Sequence, residues 1–110
     1  MQFRQEVKAG AALLDSFLKT PDWRWNIQGM DIADPNNCLL TRIFGGYILG
    51  LSILKTGDDI RYGFEVDHGS RKTVEEIKEN YALLQKAWEE ELANPPLGTS
   101  ETPVNFKYSI

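Results

Sequence analysis

Residues 38–54, Cys-Leu-Leu-Thr-Arg-Ile-Phe-Gly-Gly-Tyr-Ile-Leu-Gly-Leu-Ser-Ile-Leu, constrain this chain more than any other stretch. Their apolar side chains recur at 39/40, 43/44, 47/48, 51 and 54, with Leu49 and Ile53 filling in behind. A helix apolar around most of its circumference has to be covered by other elements. The sequence therefore predicts a mainly α fold, a small bundle of three principal helices around this central apolar helix, with minor extended segments and room for one short two-stranded pairing. Gly45, Gly46 and Gly50 lower the intrinsic helicity of the run, so a break at Gly45-Gly46 is compatible with it. Thr41, Gly45 and Ser52 share a face of small residues suited to close packing. Arg42 must reach an edge or a carboxylate, and Gly57 is the expected stop.

The covering helices are readable from spacing. Phe3, Val7, Ala11, Leu14 and Leu18 step by three or four, the period of an amphipathic helix over residues 3–18. Thr20-Pro21 ends it, because a residue before proline is pushed out of the α region. Thr73-Val74-Glu75-Glu76 is a capping box, opening a helix to about residue 93 with Ile77, Tyr81, Leu84, Trp88 and Leu92 inward. Ahead of the central run, Asp34 followed by Pro35 reads as an N-cap, with Asn36 or Asn37 as alternative caps.

The connecting segments are less periodic. Trp23, Trp25 and Ile27 alternate as a short extended segment would. Residues 58–63 read as a single helical turn ended by Gly63, followed by an extended 64–66; alternation of Ile60, Tyr62, Phe64 and Val66 equally suits a strand. The expected organisation is one helical domain over residues 1–94. A Pro/Gly/Ser/Thr-containing linker and extended tail follow over 95–110, whose residues 104–110 alternate and could pair with 64–66.

With 110 residues, 42% hydrophobic and 25% charged, the chain is expected to be a single soluble domain. One cysteine excludes an internal disulfide and suggests a reducing, cytoplasmic setting. The first residues lack an apolar leader core, and residues 38–54 are too short to span a membrane. The net charge of −4 with no basic run argues against direct nucleic-acid binding. No cofactor or metal is expected, since one histidine and one cysteine cannot supply a zinc site. A Cys38–His68 dyad is arithmetically available, but Cys38 opens an apolar helix and reads as a small core residue. Adjacent carboxylates such as Asp58 and Asp59 point apart on a helix. Without a nucleophile elbow, phosphate loop or dinucleotide fingerprint, the chain reads as a non-enzyme.

Two surfaces are candidates for function. Between Glu75 and Glu91 six glutamates face Lys78 and Lys86, a balance equal to the whole chain's −4. Glu75, Glu79, Glu89 and Glu90, with Phe106 and Tyr108 of the tail, are the candidate protein contacts, suited to a basic partner surface. Trp23, Arg24, Trp25 and Tyr62 are the candidate lining of a pocket for a nucleotide-like anion, or else large side chains closing the core. A homo-oligomer that buries its apolar surfaces is a third reading.

Gly10-Ala11-Ala12-Leu13-Leu14-Asp15, Trp23…Ile27, Cys38-Leu39-Leu40, Phe44-Gly45-Gly46-Tyr47, Tyr62-Gly63-Phe64 and Tyr81-Ala82-Leu83-Leu84…Ala87-Trp88 occur in this order. Over residues 8–92 the pattern resembles a family of short uncharacterised proteins from bacteriophages and actinobacterial genomes. Arg42 and Gly46 depart from it, standing where glutamine and an acidic residue are usual. The family has no established activity, so the resemblance implies no catalytic residues. It implies a setting: small accessory proteins of phages that bind and block a host protein, counter-defence proteins such as CRISPR inhibitors among them.

Overall fold

Gly45 decides how the central run folds. In the computed structural model of the chain, which describes residues 3–69 and 71–94, its backbone takes the left-handed conformation at φ 92°. Glycine adopts this without a Cβ clash, and its N–H closes onto the Thr41 carbonyl at 2.8 Å. Gly46 then continues extended. Residues 38–54 are therefore two helices, and the single central axis expected from the pattern is not formed. The described elements are α1 (Arg4–Leu18), α2 (Trp23–Asn26), α3 (Leu39–Phe44), α4 (Tyr47–Leu54) and α5 (Val74–Ala93). The chain is mainly helical, and no strand occurs among the described residues.

α1 and α5 form where the periodicity places them. α1 buries Val7, Gly10, Ala11 and Leu14. α5 starts at the capping box, with the Thr73 hydroxyl accepting from the Glu76 N–H at 3.1 Å. It buries Leu84, Ala87 and Trp88. Between these helices an aromatic chain fills the core: Trp23 meets Trp88 edge-on at 6.3 Å, and Phe64 stacks on Trp88 at 6.4 Å. Burying such rings contributes about 1.5–3 kcal/mol each.

The close packing falls at other small residues than Thr41, Gly45 and Ser52. A Cβ on Gly50 would lie 3.0 Å from both Leu40 Cβ and Phe44 Cδ2, so Gly50 is what lets α4 fold back on α3. A Cβ on Gly10 would lie 2.0 Å from the Tyr62 carbonyl oxygen, so α1 touches the 59–64 backbone directly. That segment is neither strand nor helix. Phe64 N–H bonds the Asp59 carbonyl and Gly63 N–H bonds the Ile60 carbonyl, with Gly63 at φ 69°, the arrangement that ordinarily closes a helix. Trp88 Nε1 donates to the Gly63 carbonyl at 2.7 Å and ties the turn to α5.

Three further expectations change. Residues 23–26 are helical rather than extended, because Trp23 and Ile27 are one turn apart on the same buried side. The N-cap of α3 is Cys38, without a side-chain cap bond, while Asp34 Oδ1 accepts from Asn36 N–H in a loop turn. α4 stops at Lys55, which takes φ 57°, so Gly57 is not its terminus. Arg42 does reach an edge: Nε donates to Asn37 Oδ1 and the two terminal nitrogens to the Gln28 and Gly29 carbonyls. Its partners are neutral oxygens. The expected pairing of 64–66 with 104–110 lies outside the described residues.

Candidate functional site

α4 is an uncharged helix with the sequence Tyr-Ile-Leu-Gly-Leu-Ser-Ile-Leu. Only Gly50 and Leu54 are buried, because α3 covers one side of it. Tyr47, Leu49, Leu51 and Ile53 are half-buried, and Ile48 is 70% exposed. The next turn of chain adds Ile60, 43% exposed. The Tyr47 hydroxyl donates to the Asp59 carboxylate, so the start of α4 is tied to the turn that carries Ile60. A fully exposed isoleucine forgoes about 1.5–3 kcal/mol that burial supplies. Among the described residues a third large apolar side chain, Val74, is exposed at the start of α5.

Behind α4 lies a cavity of about 140 Å³ with Cys38, Tyr47, Phe64, Glu65 and Tyr81 among its walls. Burial, then the Asp59 carboxylate, pushes the Tyr47 phenol above its ordinary range. Burial, then Glu65, does the same for Tyr81. Both therefore stay protonated. Tyr81 Oη lies 2.8 Å from His68 Nε2, which is also 3.4 Å from Glu65 Oε1. The Cys38 thiol is buried, 3.4 Å from Thr41 Oγ1 and 3.9 Å from the Pro35 carbonyl. The thiol and the imidazole thus bond different partners, and the dyad geometry is not formed.

The residues singled out from sequence separate into three groups. Glu75, Glu79, Glu89 and Glu90 are all exposed on α5. Lys78 and Lys86 are exposed on the same helix, and Glu89 accepts from Gln85 at 3.2 Å. Phe106 and Tyr108 lie outside the described residues.

None of Trp23, Arg24, Trp25 and Tyr62 lines the cavity behind α4. Trp23 is buried, and Arg24 is 4% exposed with its guanidinium on the Asp15 carboxylate at 2.6 and 3.2 Å. Trp23 Nε1 donates to the same carboxylate at 2.8 Å, and its ring lies 4.4 Å from the guanidinium carbon. Glu91 stands 3.9 Å away on α5. These two carboxylates supply the negative charge that an anionic ligand would bring. Trp25 is half-buried with Nε1 unpartnered among the described residues, and Tyr62 packs on Phe64 at 6.2 Å.

Sequence reading passed over Ile48 and Ile60. The signal was there in part: apart from Ser52, exposed one turn from Ile48, the side chains of α4 are uncharged and largely apolar, more than the end of a small domain can cover. Among the described residues no helix is long and apolar enough to cross a membrane. They also contain no group of three or more histidine, cysteine, aspartate or glutamate side chains placed to hold a metal ion. Comparison with protein-family models, with curated proteins and with solved structures finds no match.

Proposed function

We propose that this chain is a non-enzymatic binding protein that engages another protein through α4 and blocks or sequesters it. The observation that carries the reading is Ile48, 70% exposed on a helix without a single charge. Contiguous exposed apolar surface marks interaction sites, and the partly exposed Leu49, Leu51 and Ile53 extend the surface from Ile48 along the same helix. The partner has an apolar pocket for Ile48 and, where the interface extends to the α5 glutamates that face solvent, basic side chains. α4 is about 12 Å long, the centre of an interface rather than all of it, since a stable one buries about 800 Å² on each side. In the setting that the family resemblance implies, the partner is a host protein met in the cytoplasm, with counter-defence as the corresponding role.

The test is affinity capture from cells that naturally contain the protein, comparing wild type with Ile48→Asp and with Glu79→Lys/Glu90→Lys. One protein retained by wild type and lost with Ile48→Asp supports the reading; identical recovery by all three chains contradicts it. A second copy is the other occupant that the exposed helix favours, and light scattering separates the two. A dimer abolished by Ile48→Asp replaces the heterologous partner with self-association.

A further inference from the structure

We propose that the cleft between α1 and the last turns of α5 binds a small zwitterion, an amino acid or short peptide with both its ammonium and its carboxylate free. The cleft encloses about 280 Å³, room for about nine waters at ~30 Å³ each, or for a molecule of dipeptide size. Val7 and Ala87, both buried, form an apolar floor. Arg4 and Lys8, one turn apart, line it from α1; Glu90 and Glu91 line it from α5. Opposite charges facing across a narrow gap ordinarily close on each other. Here they do not: the ion pairs within 4.0 Å among the described residues are Arg24–Asp15, Arg24–Glu91 and His68–Glu65.

Of the two glutamates, Glu91 is already engaged. Arg24 stands 3.9 Å from the Glu91 carboxylate, and Asn94 Nδ2 donates to the Glu90 carbonyl at 3.2 Å. The Glu90 carboxylate is left exposed and unpaired among the described residues, opposite two equally unpaired cations. A simple anion bound at Arg4 and Lys8 would face Glu90, and a simple cation bound at Glu90 would face Arg4 and Lys8. A molecule carrying one charge of each sign satisfies both walls at once.

Titration of the full chain with alanyl-leucine, followed by backbone amide shifts in NMR, tests this. Its N-acetylated and its C-amidated forms are titrated in parallel. The expected result is saturable shifts at Lys8, Glu90 and Asn94, with each blocked form weaker by about threefold to fivefold, the size of one exposed ion pair. Glu90→Gln then removes the preference for the free ammonium, and Lys8→Gln reduces the preference for the free carboxylate. Equal binding of the three forms, or no saturable shift at any of these amides, overturns the proposal. The blocked-peptide comparison needs no variant, so it stands whatever the substitutions do to the fold.

Discussion

Replacing Gly10 by alanine tests the packing of the fold at its tightest point. In an open helix this change stabilises by about 1 kcal/mol, since alanine has the higher helix propensity. At Gly10 the new Cβ would lie 2.0 Å from Tyr62 O and 3.1 Å from Tyr62 C, both backbone atoms that cannot rotate aside. α1 must retreat by about 1.4 Å to restore an ordinary contact. The retreat unseats Gly63 from Glu6 and Val7, where a Cβ would already lie at 3.1 Å, and strains the Trp88–Gly63 hydrogen bond of 2.7 Å. Overpacking costs about 1–3 kcal/mol and the strained bond about 1 kcal/mol more. After the propensity gain, a net loss of about 2 kcal/mol remains, a fall in Tm of about 8–16 °C at this size. Urea denaturation followed by tryptophan fluorescence measures it, with the exposed Ala12→Gly on the same helix as the propensity control. A Gly10→Ala chain at least as stable as wild type would refute the close approach of α1 to the 59–64 turn.

Other perturbations separate the structure's logic from the sequence pattern. Lys55→Gly is expected to raise stability by about 1 kcal/mol, because lysine sits there at φ 57°. Gly57→Ala is expected to be neutral or mildly stabilising, since Gly57 has open space and no left-handed backbone; thermal melts read both. Asp15→Asn leaves the buried Arg24 guanidinium without its nearest carboxylate and is expected to cost about 2 kcal/mol, less than a fully enclosed pair because Asp15 is 39% exposed. Adding Arg24→Met should recover part of that loss, whereas simple additivity of the two substitutions would argue against the pairing. Tyr47 and Tyr81 both have phenols held neutral in the folded chain, above their ordinary value of 10.0. Their contribution is therefore complete below pH 10 and is lost as the pH rises further, because only the unfolded phenols ionise there. Tyr47→Phe/Tyr81→Phe should flatten the alkaline limb of the stability profile, and an unchanged limb would contradict the assignment.

Both long helices were legible in the sequence for physical reasons that act locally. In α5 the capping box and the apolar stripe agree, and the Thr73–Glu76 bond forms as the spacing requires. In α1, Val7, Ala11 and Leu14 step along one side and are buried together. The rest depends on contacts between distant segments. Whether residues 38–54 stay one helix turns on where α4 finds a surface, and it finds Leu40 and Phe44 by folding back at Gly45. Alternation at Trp23, Trp25 and Ile27 reads as extended, yet Trp23 and Ile27 also suit one helical turn, and the core below them chooses helix. Lys19 and Lys55 in left-handed conformations carry no sequence signal, since glycine or asparagine is the residue expected there. At the candidate site the loss is larger. A largely apolar helix predicts burial, and only the finished packing shows that Ile48 is left outside.

Photo-crosslinking from position 48 tests the proposed interface most directly. A photoreactive phenylalanine analogue is placed at Ile48 and, in a separate chain, at exposed Ala82 on α5, each irradiated in cells that naturally contain the protein. The proposed interface yields one discrete heterologous adduct from position 48, absent from position 82 and competed away by wild type but not by Ile48→Asp. Equal adducts from both positions, or an adduct at 48 made only with a second copy of the chain, would contradict it.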